Sequence, residues 1–360
     1  MKTSIQSFRN LAIALLAIAS AGALSSCGSV FDDLPECPTG AGIRFVYDYN
    51  LESANAFPSQ VDCLTLHLYD GNGNFIRTVN ETSSVLADEN WRMNLDLPAG
   101  NYHAVVYGGI ACDKASFSHL AEPAPGSHYS DITMALVPEH IGKRLHDHFH
   151  GVADFTVTDD TPELTDVTVH LKKTTNHFRI LLQHIDGTPV DGRDFDFRID
   201  DDNSRLDHLN NPVSGFPVSY THTARGAAST SDPDEIFPSS DAQAANSGAQ
   251  APLARVANSG SRAPISSVTV GYGEISTSRL HLNNNPELVI SLTGGGEVVR
   301  LPLKFYLLCT LGEGEPWSDQ EYLDRCSRWN MTFLLDHNNK WADTRIIING
   351  WTVRINNIDK

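Results

Sequence analysis

The sequence predicts an all-β protein built from antiparallel β-sandwiches, on three observations. Apolar and polar residues alternate with a period of two in several short segments, turn-forming Asn, Asp, Gly and Pro residues separate these segments, and no long segment has the 3.6-residue period of an amphipathic helix. Short antiparallel strands of this kind bury their apolar faces between two sheets. We therefore expect the apolar sets to form the inner faces of sandwiches.

Four segments carry the alternation most clearly, and each has one apolar face. These faces are Leu64, Leu66 and Leu68; Val167, Val169 and Leu171; Phe178, Ile180 and Leu182; and Trp351, Val353 and Ile355. The polar residues between them, such as His67 and Lys172, are expected on the opposite, half-exposed face. Turn sequences such as Asp70-Gly71-Asn72-Gly73 end the strands.

The length of the chain predicts two domains, because a single core stops growing well before 360 residues. The polar run from Asp159 to Pro162 neither extends a strand nor packs, which favours a boundary there. The predicted organisation is a signal peptide at 1–26, a tether at 27–36, an N-terminal sandwich at 37–160 and a C-terminal sandwich at 161–360. Within the last, residues 222–264 are rich in Ala, Ser, Asn and Gly and are expected to form a mobile insert.

The N-terminus has the features of a bacterial lipoprotein export signal. A short basic start precedes an apolar run from Leu11 to Ala19 that is too short to span a bilayer. Leu24-Ser25-Ser26-Cys27 then matches a lipobox, whose cysteine takes a diacylglyceryl group and becomes the new N-terminus. Because several acyl chains anchor a protein stably, we predict a lipoprotein held to a membrane through Cys27. The alternative is an ordinary secretory peptide cut a few residues earlier.

The remaining cysteines indicate a disulfide rather than a metal or redox motif. There is no Cys-x-x-Cys pair, so neither a zinc ribbon nor a thioredoxin-like site is indicated. Export permits disulfides, and Cys37 and Cys112 both lie outside the apolar cores of predicted strands. They are the candidates for a disulfide that staples the N-terminal segment to the first domain. An odd number of cysteines after Cys27 leaves at least one thiol unpaired.

Composition and motifs argue against nucleic-acid binding and catalysis. The formal net charge of −18 repels phosphate backbones, so nucleic acid is not an expected partner. The sequence contains no nucleophile elbow, no helix with paired histidines and no phosphate-cradling glycine loop. We therefore expect a non-enzymatic protein without a cofactor.

Two clusters of potential metal ligands are each explained without a metal. His146, His148 and His150 would share one strand face and could meet an ion, but an exposed polar strand face explains the same residues. The segment from Asp70 to Glu81 matches several positions of a calcium loop, yet Phe75 stands where glycine must permit the sharp turn. We therefore expect no metal site.

Several short stretches behind the lipobox occur in an order and spacing that are specific only in combination. They are Cys37-Pro38, Asp48-Tyr49-Asn50, Leu97-Pro98-Ala99-Gly100-Asn101-Tyr102, Phe149-His150-Gly151, Gln320 to Arg325, and Asn349-Gly350-Trp351. With these stretches, the chain resembles the FimB-type fimbrial anchor lipoproteins of Bacteroidales-type (type V) fimbriae over most of its length.

The resemblance implies two tandem transthyretin-like β-sandwich domains and no catalysis. It also implies a role in tethering, terminating or capping a cell-surface fimbria at the outer membrane, with fimbrial subunits as partners. Asp32, Asp33 and Glu36 resemble the surface-export signal of such lipoproteins, so surface exposure is expected; a solvated tether explains the same residues.

An open sandwich suits this role because its edge strands carry unpaired backbone groups to which a partner strand can add. The candidate exchanging strand is the apolar C-terminal stretch that contains Ile346, Ile348, Trp351, Val353 and Ile355, and a plain last core strand explains it equally well.

The competing function is that of a glycan-binding surface lipoprotein. Sugar binding on a β-sandwich commonly uses exposed aromatic platforms, which Trp91, Trp317, Trp329 and Trp341 could supply. Each of these tryptophans could equally well pack in a core or beneath a loop.

Overall fold

The computed structural model of the chain describes residues 39–159, 163–230, 268–312 and 314–354. In these residues most regular elements are strands, and the larger sheets face each other in pairs. The all-β sandwich prediction is therefore confirmed.

The described residues up to 173 form ten strands. They are β1 (Gly40–Val46), β2 (Leu64–Asp70), β3 (Phe75–Glu81), β4 (Met93–Asp96), β5 (Gly100–Gly108), β6 (Phe117–His119), β7 (Met134–Leu136), β8 (Phe149–Val157), β9 (Thr165–His170) and β10 (Lys172–Lys173). A five-stranded sheet of order β10-β8-β5-β2-β3 faces a three-stranded sheet of order β4-β1-β9. One strand pair departs from the antiparallel arrangement here, since β1 and β9 run parallel.

The core of this N-terminal sandwich follows the predicted alternation. Ile43 of β1 and Val169 of β9 face Leu66 and Leu68 of β2, and all four are fully buried. On β9 the intervening residues are exposed, because the three-stranded sheet has a solvent face. The period of two in the sequence thus identifies the inner face correctly.

The predicted domain boundary at residue 160 is too early. Strand β9 pairs with β1 and strand β10 pairs with β8, so residues 165–173 complete the first sandwich. Strand β8 ends at Val157 and strand β9 begins at Thr165 in the other sheet of that sandwich, and a connection between two sheets calls for the same turn-forming residues as a linker between domains. Residues 160–162 lie outside the described residues. The boundary instead falls between Lys173 and Asn176.

The second half of the chain forms the remaining strands. They are β11 (Asn176–His184), β12 (Phe195–Asp201), β13 (Arg205–Leu206), β14 (Val218–Thr221), β15 (Ala224–Thr230), β16 (Val268–Thr277), β17 (Glu287–Leu292), β18 (Glu297–Pro302), β19 (Arg328–Leu335), β20 (Trp341–Ile348) and β21 (Trp351–Arg354). A six-stranded sheet of order β15-β16-β11-β19-β20-β21 faces a four-stranded sheet of order β14-β12-β17-β18. Strands β11 and β19 pair in parallel, a second departure from the antiparallel arrangement.

The predicted insert at 222–264 begins as a strand. Residues Ala224–Thr230 pair with β16, and Gly226 lies against the ring of Tyr272 on the neighbouring strand. Small residues here reflect close packing of β15 rather than absence of structure. Residues 231–264 lie outside the described residues.

In the described part of the chain, three short α-helices interrupt the strands: α1 (Phe57–Gln60), α2 (Leu303–Leu308) and α3 (Asp319–Arg325). Helix α3 begins after Ser318, whose hydroxyl accepts a hydrogen bond from the Glu321 amide at 3.3 Å, as an N-cap residue does. None of the helices in the described ranges has the length and apolarity needed to cross a membrane.

The core of the second sandwich continues onto the outer face of the first sandwich, whereas the interior of the first sandwich is a separate buried cluster. Strands β6 and β7, which leave the first sandwich after β5, pair with β13 of the second half in a small sheet of order β13-β7-β6. Tyr69 and Tyr107, on the outer face of the five-stranded sheet, belong to the same buried cluster as the interior of the second sandwich. Strand β2 is therefore buried on both faces, and the expectation that His67 lies on a half-exposed face is wrong.

Candidate functional site

The predicted C-terminal exchanging segment forms a hairpin rather than one strand. Strands β20 and β21 pair with Ile348 opposite Trp351 and Ile346 opposite Val353. The turn between them consists of Asn349 and Gly350, both with positive φ angles of 48° and 83°. Asn-Gly adopts this conformation with little strain, so the chain reverses where a single continuous strand was expected.

The hairpin has a buried and an exposed side. Ile346 and Ile348 are fully buried and Val353 nearly so, whereas 63% of Trp351 is exposed. Ile347, between the two buried isoleucines, is also exposed. Four of the five predicted residues are thus placed on one hairpin, and Ile355 lies outside the described residues.

Strand β21 is the terminal strand of the six-stranded sheet as described. By contrast, the edge strand β18 of the facing sheet ends in Pro302 and carries Arg300, whose guanidinium binds both Glu297 and Glu287 at 2.8–2.9 Å. Charges and proline protect a sheet edge against pairing with another chain. Strand β21 has Trp351, Thr352 and Val353 before a single charged residue, Arg354, and contains no proline, so it is the more open of these two edges.

A buried polar cluster fixes the junction between the sandwiches. The Lys173 ammonium donates to the Asp147 carboxylate at 2.6 Å, and the His177 ring contacts its other oxygen at 2.8 Å. Burial acts to raise the pKa of Asp147, but Lys173 and His177 outweigh it and hold the pKa well below its usual range. Because Lys173 and His177 lie on either side of the domain boundary, Asp147 locks β10 against β11.

The structure corrects the predicted disulfide. Cys112 pairs with Cys63 and not with Cys37, and the two Cα atoms are 5.8 Å apart. Cys63 immediately precedes β2, where its position in an apolar alternation indicated a strand residue and hid its role. Cys37 and the lipidation candidate Cys27 lie outside the described residues, so the predicted lipid attachment remains a prediction.

Asp62 and His146, whose side chains are both able to bind a metal ion, lie beside this disulfide. The Asp62 carboxylate lies 3.0 Å from the His146 ring and 2.7 Å from the Lys114 ammonium. The hydrogen bond from His146 is the main reason that the pKa of Asp62 is lowered to about 2. Asp62 and His146 are 84 positions apart, and no sequence spacing connects them.

The three histidines from 146 to 150 do not converge, and they do not form the exposed strand face expected for them. His148 is fully buried, with its ring bonded to Thr174, and the His150 ring donates to the His208 carbonyl oxygen at 3.0 Å. They are buried because the small sheet and the second sandwich cover this face of the five-stranded sheet. The segment from Asp70 to Asn74 is a hairpin turn in which the Asp70 carboxylate accepts from the backbone of Asn74 at 2.9 Å.

The tryptophans expected as sugar platforms pack against other aromatic rings. Trp329 has no exposed surface. The other ring-centroid separations are 5.9 Å for Trp91 on Phe45, 6.4 Å for Trp317 on Tyr322 and 5.9 Å for Trp341 on Phe333. None of the four stands as an open platform.

Comparison with protein families decides the identity. The family of fimbrillin-A associated anchor proteins Mfa1 and Mfa2 matches residues 34–357. The chain belongs to this family. A comparison with curated proteins finds no match.

Three solved structures share the fold of this chain over most of its length. A protein from Bacteroides thetaiotaomicron VPI-5482 proposed to be an adhesin is 39% identical, with a TM-score of 0.76 over 90% of this chain and 100% of its own. A second protein from that organism, proposed to bind polysaccharide, is 27% identical, with a TM-score of 0.69 over 88% of this chain and 98% of its own. The fimbrial anchor protein Mfa2 from Porphyromonas gingivalis shares the fold at 14% identity, with a TM-score of 0.59 over 88% of this chain and 99% of its own.

In this Mfa2-family chain, the stretches that suggested the family have structural roles. The Tyr102 hydroxyl donates to the Pro98 carbonyl oxygen at 2.8 Å and closes the turn before β5. Gly151 allows β8 to approach strand β9 of the facing sheet, since a Cβ at position 151 would lie 2.7 Å from the His170 carbonyl oxygen. These motifs therefore specify the fold, which fits a family of structural anchor proteins.

Proposed function

We propose that this protein anchors or caps a cell-surface fimbria at the outer membrane, held there by a lipid on Cys27 and joined to a fimbrial subunit by β-strand addition along β21. The observation that carries the proposal is the open edge formed by β21 in a member of the Mfa2 anchor family. Strand addition gives an extended joint because many backbone hydrogen bonds form in register along its length.

The hydrogen-bond pattern of the hairpin supports this edge as a template. The Asn349 amide donates to the Asn330 carbonyl oxygen at 2.9 Å, on the β19 side. Bonded and non-bonded pairs alternate in an antiparallel ladder, so Ile348 bonds to Trp351 and the next residue, Thr352, directs its backbone groups outward. A partner strand would meet those groups.

A proline at this position tests the edge directly. Thr352→Pro removes an outward-directed N–H that β20 does not use, and proline is tolerated on edge strands. We expect Thr352→Pro to reduce the number of fimbriae that stay on cells after shearing by about tenfold. A loss of this size corresponds to one missing hydrogen bond and a steric clash with the partner strand. Electron microscopy and immunoblotting of the sheared fraction measure the loss.

The matched control is Thr352→Val, which keeps the N–H and the side-chain size. It should retain fimbriae as the native chain does, and both variants should keep the native melting temperature. If Thr352→Pro retains fimbriae as well as Thr352→Val, strand addition at β21 is wrong.

Membrane attachment is tested separately at the lipobox. Cys27→Ser should move the protein from the membrane fraction to the soluble fraction, whereas Cys37→Ser should leave it in the membranes. Mass spectrometry of the mature N-terminus identifies the acyl groups. A Cys27→Ser protein that still sediments with membranes would remove the lipid anchor from the proposal.

Glycan binding is the second candidate, favoured by the polysaccharide-binding description of the 27% identical relative. The tryptophans do not support it, but an open cleft of about 470 Å³ beside the β2–β3 turn is lined by Asn101, His103, Tyr129 and Asp154. Asp154→Ala together with Asn101→Ala should then weaken polysaccharide retention on an affinity gel at least tenfold. Unchanged retention, or none by the native chain, excludes this cleft.

A further inference from the structure

Four potential metal ligands from three segments meet beside the N-terminal end of β2. Asp62, Cys63, Cys112 and His146 each offer one ligand atom, and these atoms all lie within 4.8 Å of one another. Two sulfurs, an imidazole nitrogen and a carboxylate oxygen form a ligand set that suits a tetrahedral zinc ion. The site is independent of the proposed anchoring role.

In the structure the two sulfurs form a disulfide, so neither is a thiolate that can bind a metal ion. We propose that these four residues form a zinc site when the Cys63–Cys112 disulfide is reduced. A dithiol reductant supplies two electrons and two protons and itself becomes a disulfide, leaving two thiols. Zn²⁺ then displaces both thiol protons as two Zn–S bonds form.

The geometry requires only side-chain rotation. Zinc–sulfur bonds of about 2.3 Å at the tetrahedral angle place two sulfurs about 3.8 Å apart. The Cα separation of 5.8 Å can accommodate this by rotation about χ1 of each cysteine. The backbone segments stay together without the disulfide, because the Gly109 amide donates to the Cys63 carbonyl oxygen at 3.0 Å next to the β2–β5 ladder.

The other two ligands are already oriented. The His146 amide donates to the Ser116 hydroxyl at 2.8 Å, which holds the backbone of this residue. Its Nε2 atom points to Asp62 Oδ1 at 3.0 Å, and Cys112 Sγ lies 3.2 Å from the same oxygen. A zinc ion in their midst would replace these direct contacts by metal bonds.

The surrounding charge fits a dication. Two thiolates and one carboxylate would leave a zinc complex with one net negative charge. Lys114, whose ammonium lies 2.7 Å from Asp62 Oδ2, offsets that charge and leaves Oδ1 for the metal. The Asp62 side chain is 45% exposed, so an ion can reach the site from solvent.

Cobalt binding to the full-length protein tests the proposal, since Co²⁺ takes the same tetrahedral ligands and its thiolate bonds absorb light. The protein carries Cys27→Ser, Cys37→Ser and Cys309→Ser, so that the buried Cys326 is the one thiol left besides Cys63 and Cys112. It is reduced with dithiothreitol and desalted without oxygen. We expect one Co²⁺ per reduced chain with a thiolate-to-cobalt band, displaced by Zn²⁺, and no band for the oxidised chain.

Two variants test whether His146 and Asp62 bind the zinc ion together with the two thiolates, or whether the thiolates bind it alone. His146→Ala should weaken the Kd for Zn²⁺ about tenfold or more, and Asp62→Asn should weaken it as well. The control His170→Ala removes an exposed histidine outside the cluster and should bind zinc as the parent does. Each variant is first checked for the native melting temperature in the oxidised state. The proposal is overturned if the reduced chain gives no thiolate band, or if His146→Ala binds zinc as tightly as its parent.

Discussion

Arg325, at the end of helix α3, donates a hydrogen bond from Nη1 to the carbonyl oxygen of Asn50 at 2.9 Å and thereby joins the second sandwich to the loop after β1. Its guanidinium also lies 4.3 Å from the ring centroid of Tyr49, while Glu321 binds Nε at 2.8 Å and fixes the orientation. Asn50 in turn donates to the Tyr47 carbonyl oxygen at 3.0 Å, so the contact extends to the residue that follows β1. Arg325 therefore lies on a path along which pulling force can pass between the sandwiches.

Replacing Arg325 by Met should lower the free energy of unfolding by about 2 kcal/mol, because a charged donor is lost and a partly buried carbonyl oxygen is left unpaired. Urea-induced unfolding measures the change. Arg300→Met is the matched control: Arg300 binds carboxylates too, but its side chain is 43% exposed, and such surface pairs contribute about 0–1 kcal/mol. Equal effects of the two substitutions would contradict the proposed role of Arg325.

Asp324→Asn should be among the most destabilising single substitutions in helix α3. Asp324 receives two hydrogen bonds from Arg279, at 2.8 and 2.7 Å, and both side chains are almost fully buried. Removing one charge leaves the other buried and unpaired, which typically costs about 3–5 kcal/mol. Replacing both, with Arg279→Met and Asp324→Leu, should cost less than the sum of the single changes. A double-mutant cycle in urea that is additive would contradict this coupling.

The local pattern of the sequence predicts the strands well because alternation is set by neighbouring residues. The inner faces of β2 and β9 are where the period of two places them. What alternation cannot show is a second covering layer. His67, Tyr69 and His148 are buried because the small sheet and the second sandwich pack on the outer face of the five-stranded sheet, through contacts far apart in sequence.

The candidate site illustrates the same limit. Asn349-Gly350 predicts a turn from its residues alone, yet a long apolar stretch from Ile346 to Ile355 favours one strand, and only pairing with β19 shows where the chain reverses. Likewise, Cys63 looks like one more residue of an alternating strand. Its pairing with Cys112 depends on how β2 and β5 lie side by side, which the composition of neither strand specifies.

The buried histidines predict loss of stability in mild acid. Burial lowers the pKa of His67, His148 and His150 to about 3 each, whereas an unfolded histidine titrates near 6.5. As the pH falls below about 6.5, the unfolded state therefore binds protons that the folded state cannot, and stability decreases until about pH 3. Between pH 7 and pH 5, each such histidine should lower the free energy of unfolding by about 2 kcal/mol. Urea unfolding at several pH values across this range measures how steeply the free energy of unfolding falls with decreasing pH.

His150→Gln tests the contribution of one residue. The glutamine amide can still donate to the His208 carbonyl oxygen, which His150 contacts at 3.0 Å, but it does not titrate. The variant should take up about one proton fewer on unfolding at pH 5. His170→Gln, at a histidine whose side chain is 61% exposed, is the matched control variant. If the free energy of unfolding of His150→Gln depends on pH as steeply as that of the native chain, His150 is not held neutral in the folded protein.

Opening the Cys63–Cys112 disulfide should lower the free energy of unfolding by about 4 kcal/mol, the chain-entropy value for a loop of this length. The two cysteines are separated by 49 positions, and the bond restricts the unfolded chain over that whole segment. The comparison is between the native chain and the Cys63→Ala, Cys112→Ala variant in urea with a chelator present, with Cys309→Ser as a control that should change little because Cys309 is exposed and unpaired. Alanines are used because reduced cysteines could bind a metal ion, which would stabilise the protein and hide part of the stability lost with the disulfide. A loss below about 1 kcal/mol would mean that the β2–β5 ladder and the surrounding packed side chains restrain this segment without the disulfide.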